Sequence, residues 1–286
     1  MLRALTAMST LALNTIFGAS LLLPLATVKL VLPFDPVRKR IDPLLNAIAE
    51  RWIANNAVLL RGVSWDIDGL EGLARDRWYL VLANHQSWAD IFVMQHLLNR
   101  RIPLLKFFLK QVLIWVPLIG LAWWALDFPF MKRRSPEFLR RHPEKRGDDL
   151  AAIRRACAKF SLVPTAVMTF VEGTRFTRQK HAAQDSPYRH LLVPKAGGLA
   201  LALDAMGERF HGLLDVTIAY PGGAPTFYDF LAGRMRRVVV RIRELPIPAD
   251  RLGRDYASDP EYRARVRAWI DQLWREKDAA LEGLGG

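Results

Sequence analysis

Apolar and polar positions along this chain fall into blocks whose lengths and periods predict alternating strands and helices. Residues 78–83 form a continuous apolar run of strand length, and residues 89–98 follow as a helix. Further strands are predicted at 164–170, 213–220 and 237–243, and further helices at 148–160, 195–206 and 260–281. Ahead of the first strand a helix is expected over 43–60, where Ile41, Leu44, Leu45, Ile48, Trp52 and Ile53 approximate one apolar face. Pro246 and Pro248 mark 244–249 as an extended connector. This alternation predicts an α/β fold, a central mostly parallel or mixed sheet flanked by helices.

Two stretches depart from that pattern because they carry no charge at all. Residues 4–28 lack an ionisable side chain and exceed the roughly 20 residues needed to cross a hydrocarbon core. They are expected to anchor the protein as a spanning or re-entrant segment broken at Pro24, with a signal peptide as the rival reading. Lys29 closes the stretch, and Arg38, Lys39 and Arg40 outnumber Arg3 on the other side, which puts the remaining bulk on the cytoplasmic face of an inner membrane. The expected division is an anchor over 1–40 and one domain over 41–286. Residues 112–126, with Trp115, Trp123 and Trp124, are short for a span. They fit either a buried hairpin or an interfacial wall for an acyl chain, flanked by Lys106 and Lys110 before it and Lys132, Arg133 and Arg134 after it.

Composition narrows the partners. A chain of 286 residues can bury one large core, and a 51% apolar content excludes disorder. The net charge of +13 points to an anionic partner, lipid or nucleic acid, which charge alone does not separate. A single cysteine, Cys157, forms no internal disulfide and suits a small buried position on its helix.

The densest chemistry lies at Asn84, His85, Gln86, Ser87, Trp88, Ala89 and Asp90, directly after the first strand. An imidazole at a strand end with a carboxylate for its far nitrogen is the base half of a nucleophilic triad without the serine. The missing nucleophile is then the substrate's own hydroxyl. Ser87 and Asp90 also have the spacing of a capping box, and pairing His85 with Asp90 demands a bend, because five residues of regular helix turn through about 500 degrees. A second constellation, Phe170, Val171, Glu172, Gly173, Thr174 and Arg175, ends the strand at 164–170. Glycine there admits close backbone approach and a guanidinium grips phosphate oxygens in a fork, with Glu172 placed to orient it. Lys195, ahead of Ala196, Gly197 and Gly198, opens a helix and offers one more cation. No Gly-x-Ser-x-Gly elbow, phosphate loop, dinucleotide fingerprint or metal-ligand spacing occurs.

Taken together these blocks resemble the glycerolipid acyltransferases, which include the 1-acylglycerol-3-phosphate acyltransferases, over about residues 78–221. His85 and Asp90 match the first block of that family. Lys110, Leu113, Pro117, Gly120, Phe130 and Arg133 stand at the spacing of the second, Glu172 to Arg175 match the third, and Val216, Ile218 and Pro221 resemble the fourth. Asp127, Val171 and Asp215 depart from the usual glycine, proline and proline. The resemblance implies an acyl group moved from a thioester, of coenzyme A or acyl carrier protein, to a lysophospholipid hydroxyl, with no further cofactor and no nucleic acid. His85 and Asp90 are the expected catalytic pair; Glu172, Gly173, Thr174, Arg175, Lys110 and Arg133 are the expected contacts to the acceptor. 1-Acylglycerol-3-phosphate is the expected acceptor, another lysophospholipid such as lysophosphatidylglycerol the alternative, and a basic membrane-surface or nucleic-acid-binding protein the non-enzymatic rival.

Overall fold

A computed structural model describes residues 1–131, 136–142, 151, 163–252, 256 and 259–285. The predicted helix at 148–160 apart from Ala151, and with it Cys157, together with Lys132, Arg133 and Arg134, lie outside the described residues. In chain order the strands are β1 (Ser64–Asp68), β2 (Tyr79–Ala83), β3 (Leu105–Phe107), β4 (Leu109–Lys110), β5 (Phe130–Met131), β6 (Ala166–Phe170), β7 (Gly212–Ala219) and β8 (Arg237–Leu245). The described helices are α1 (Leu2–Val31), α2 (Asp35–Asn55), α3 (Ala89–Leu98), α4 (Ile119–Ala125), α5 (Pro136–Arg141), α6 (Arg178–Ala183), α7 (Ala196–Met206), α8 (Phe227–Leu231) and α9 (Pro260–Gly283).

The main sheet has the order β1-β8-β7-β2-β6-β3. β3, β6, β2 and β7 run parallel, and β8 turns antiparallel to β7 and carries β1 parallel to itself. The sheet is therefore mixed, with a parallel half. β2 is buried at every position because both its faces are covered, which is why its sequence reads as an unbroken apolar run. Its side chains divide by the two-residue period of a strand. Tyr79, Val81 and Ala83 enter a core shared with α1 to α4, and Leu80 and Leu82 enter a second core under α7 and α9.

The carboxyl ends of the parallel strands share one edge. Register pairs Ala83 of β2 with Phe170 of β6 and with Val216 of β7, so the residues just beyond all three strands meet there. Ligands of open α/β sheets bind outside this edge.

Most predicted elements hold with shifted ends, and the departures have physical reasons. The helix expected at 43–60 begins earlier, at Asp35 with Pro36 in its first turn, and gives way after Asn55 to a tighter turn over Asn56–Leu60. The boundary drawn at residue 40 thus falls inside α2. Residues 112–126 form no hairpin: a 3₁₀ turn over Gln111–Trp115 leads into α4, whose Gly120, Ala122 and Ala125 are buried while Trp115 and Trp124 stay exposed. β8 continues through Glu244 to Leu245, so the extended connector is shorter than expected. β1 was not anticipated, since its two aspartates break the apolar pattern.

α1 lies along the domain rather than apart from it. At about 1.5 Å per residue its 30 residues extend some 45 Å, and a stripe from Ala4 through Gly18, Ala19 and Leu22 to Ala26 and Lys29 is buried. Asn14, midway, donates to the Trp52 carbonyl at 2.9 Å and to Asn56 Oδ1 at 2.7 Å. Along the same helix Leu5, Met8, Leu13, Ile16, Phe17 and Leu21 are exposed. Lys29, which closes the uncharged stretch, is buried between Asp42 at 2.7 Å and Asp127 at 2.5 Å. Arg38 reaches the same Asp127 oxygen at 2.6 Å. Asp127 has φ +59, the left-handed region where glycine is usual and aspartate tolerated, and its carboxylate ties α1 and α2 to the domain. Lys106, one of the cations flanking 112–126, is not on a solvated rim but buried beside this cluster, and burial draws its amine down to about 8.

Candidate active site

β2 ends at Ala83, and Asn84 carries the strand pairing one step further with its side chain. Its Nδ2 donates to the Ile218 carbonyl at 2.9 Å and its Oδ1 accepts from the Ile218 amide at 2.8 Å. His85, next along, leaves the sheet plane over Phe170, with ring centroids 4.0 Å apart and 15° between planes. The chain then bends before α3 starts, with Trp88 at its N-cap. Ser87 and Asp90 form only half of a capping box: the Ser87 amide donates to Asp90 Oδ2, while the Ser87 hydroxyl accepts from the Ala89 amide at 3.1 Å and donates to the Pro225 carbonyl at 2.5 Å. The bend returns Asp90 toward the imidazole, and Asp90 Oδ2 lies 2.8 Å from His85 Nδ1.

Asp90 is fully buried, and four donors surround its charge. Oδ2 also accepts from the amides of Gln86 at 2.7 Å and Ser87 at 2.9 Å, and Oδ1 accepts from the Tyr220 hydroxyl at 2.6 Å. A carboxylate so supplied accepts the Nδ1 hydrogen of His85, which leaves Nε2 as the basic nitrogen. The amides of Gln86 and Ser87 are both committed to Asp90.

The tip of β6 is the other half of the site. Gly173 adopts φ +70 and its amide donates to the Phe170 carbonyl at 2.9 Å, closing a tight turn. The Phe176 amide donates to the His85 carbonyl at 2.7 Å, which sets Arg175 beside the histidine. The Arg175 guanidinium lies 4.7 Å from the centroid of the exposed Trp88 ring, a cation–π contact. Thr174 Oγ1 accepts from Lys180 Nζ at 2.7 Å, and the Lys195 chain passes close to Gly173.

Glu172 does not orient Arg175. Its side chain turns inward, where Oε1 accepts from the His85 amide at 2.8 Å and Oε2 from the Leu192 amide at 3.1 Å. Burial pushes this carboxyl up to about 8 despite the two amide donors, and the Asp90 charge adds to the rise. Its place is beneath the turn, binding β6 to the backbone of His85. Lys110 ends β4, exposed and without an ion pair among the described residues, and no hydrogen bond joins it to His85 or Arg175. Tyr220 is a site residue that sequence reasoning passed over; only its position at the end of the strand predicted over 213–220 hinted at it.

The Glu172 assignment carries a pH signature. A carboxyl whose folded-state value lies above its unfolded 4.5 binds more protons when folded, so its contribution to stability falls as pH rises from about 4.5 to about 8. Melting temperatures followed from pH 5 to 8.5 are expected to fall more in the parent protein than in Glu172→Gln, which lacks that proton. Parallel curves for the two proteins would contradict the buried, raised carboxyl.

A family model described as Acyltransferase matches residues 64–221, more than half of the chain. The chain belongs to the acyltransferase family. The matched segment runs from β1 through the tip of β7, so it contains His85, Asp90, Glu172, Arg175 and Tyr220. Similar proteins include lysocardiolipin acyltransferase 1 of Danio rerio, 27% identical over 95% of this chain and 69% of its own length. The human 1-acyl-sn-glycerol-3-phosphate acyltransferase gamma is 25% identical over 82% of this chain and 55% of its own length. The chain therefore spans little more than half of some of the curated relatives it matches. Among solved structures, the 1-acyl-sn-glycerophosphate acyltransferase PlsC of Thermotoga maritima is similar over 95% of this chain and 98% of that one, with 18% identity and a TM-score of 0.48.

Proposed function

We propose that this acyltransferase-family protein moves a fatty acyl group from an acyl thioester to the free hydroxyl of a lysophospholipid, 1-acylglycerol-3-phosphate in the first instance, giving phosphatidic acid. The observation that carries this reading is the His85–Asp90 pair at 2.8 Å with Arg175 set beside it through the Phe176–His85 backbone bond. His85 Nε2 takes the hydroxyl proton as the oxygen attacks the thioester carbonyl, and Asp90 holds the tautomer and balances the imidazolium. The tetrahedral adduct then expels the thiolate, which takes that proton back. The displaced thiolate is a good leaving group, so the pair suffices without a serine nucleophile.

Arg175, exposed and set over the Trp88 ring, suits a phosphate held by two parallel hydrogen bonds. In this reading Gly173 lets the phosphate approach the turn, while Lys110 and Arg133 supply further positive charge around it. Acyl-CoA or acyl carrier protein delivers the thioester, and no other cofactor is required. The exposed apolar residues of α1, with Trp115 just before α4 and Trp124 within it, support seating in a membrane, and in this reading the site lies on the cytoplasmic face.

A second acceptor is favoured by one observation: the similar proteins are named for lysocardiolipin as well as for 1-acylglycerol-3-phosphate. A larger headgroup than phosphate alone fits an arginine exposed to solvent. Membranes containing the protein, given labelled oleoyl thioester and a panel of lysophospholipids, distinguish the two by the headgroup of the labelled product. Labelled phosphatidic acid is the expected major product; a different labelled diacyl lipid selects the second acceptor. Absence of any labelled product above membranes lacking the protein overturns the reading.

A further inference from the structure

The base pair has a third member outside the segment that announces it. We propose that Tyr220 is a positioning residue for His85, acting through Asp90: its hydroxyl fixes the outer carboxylate oxygen and so sets both the orientation and the basicity of the imidazole. This rests on the reading of His85 as the proton acceptor.

Tyr220 follows the last residue of β7, whose register beside β2 brings it to the edge from which His85 emerges. Its ring is buried among Ala83, Ile218 and other side chains of the first core. The hydroxyl is 2.6 Å from Asp90 Oδ1, the oxygen to which neither His85 nor the turn amides reach. Without that donor a fully buried carboxylate keeps three bonds on one oxygen and none on the other, and rotation about its Cβ–Cγ bond loses its stop. The phenol is a dependable donor, because burial and the adjacent Asp90 charge raise its ionisation well above the usual range.

The electrostatic consequence has a definite sign. A hydrogen bond to Oδ1 draws negative charge away from the side facing the imidazole. Removing it concentrates charge on Asp90 and strengthens its hold on the imidazolium. Other charged or titratable groups near the histidine are Glu172 below its amide and Arg175 beyond the turn, with Lys195 behind Gly173; none of these is altered by a change at position 220.

The test is Tyr220→Phe in the full chain, followed by kcat against pH and by nitrogen NMR of selectively labelled histidine, with His85→Asn to assign the signal. The expected kcat falls roughly 10-fold, as for other groups that orient a histidine through a carboxylate, with KM for both substrates unchanged. The acidic limb of the kcat profile moves up by about half a pH unit, and the Nδ1–H tautomer of His85 loses its exclusivity. 3-Fluorotyrosine at position 220, which keeps the packing and makes a stronger donor, moves the limb the other way. An unmoved limb and an unchanged tautomer in both variants overturn the proposal, even if activity falls, since packing alone would do that. Should His85→Asn retain full activity, the base reading itself fails, a result separate from the response of the limb to Tyr220.

Discussion

His85→Ala lowers kcat for acyl transfer by about 10² to 10⁴, the usual contribution of a positioned general base, and leaves KM for the lysophospholipid within a factor of two. The asymmetry follows from geometry. The imidazole packs on Phe170 and bonds Asp90, whereas the guanidinium of Arg175, proposed to bind the acceptor phosphate, is held by Trp88 and the backbone of the β6 turn. Alanine at 85 keeps the backbone amide on Glu172 and the carbonyl under Phe176, so the turn that carries Arg175 stays tied. Initial rates of labelled product formation, with acceptor concentration varied, measure both quantities. Retention of more than a tenth of the parent kcat removes His85 from the mechanism. A protein that works by its +13 charge alone would bind anionic vesicles with the same salt dependence in both forms and consume no thioester in either.

What was legible in the sequence is what lies close together along it. His85 and Asp90 are five residues apart, and the only structural demand on them, a bend, could be stated before any coordinates. The apolar runs that became β2, β6 and β7 are buried on two faces, so they read as strands without help from their neighbours. Contacts between distant segments left no such trace. Tyr220 meets Asp90 across 130 residues, and the contact exists only because β7 pairs beside β2. Glu172 and Arg175 sit in one short motif, yet a sequence does not say that one points into the core and the other out of it. A lysine at the end of an apolar helix reads as a charge seeking water. Lys29 is instead buried because Asp42 and Asp127 arrive from elsewhere to meet it, which also accounts for an aspartate at the glycine-like position 127.

Asp215→Ala is expected to destabilise the fold by about 3–5 kcal/mol, the cost of leaving a buried ion without its partner. Asp215 faces α9 from the middle of β7, with Lys277 Nζ 2.7 Å from one oxygen and Arg243 Nη2 2.7 Å from the other. Lys277 is wholly buried, and its remaining partners would be the Val216 carbonyl at 2.6 Å and Thr217 Oγ1 at 3.1 Å, neither of which carries charge. Arg243 has an alternative in Glu276 at 2.8 Å and is half-exposed, so the loss falls mainly on the lysine. Burial already pushes the Lys277 amine below its usual range, so the variant sheds part of the cost by releasing that proton. The unfolded chain then binds more protons than the folded one, and stability rises with pH. The deficit measured by chemical denaturation is therefore larger at pH 6 than at pH 9.5. Replacing both ions, Asp215→Leu with Lys277→Met, restores most of the loss, because apolar side chains of similar volume need no counterion there. A single variant within 1 kcal/mol of the parent, by roughly the limit for exposed pairs, would mean that α9 is held by its apolar face alone, through Val266, Ile270 and Trp274.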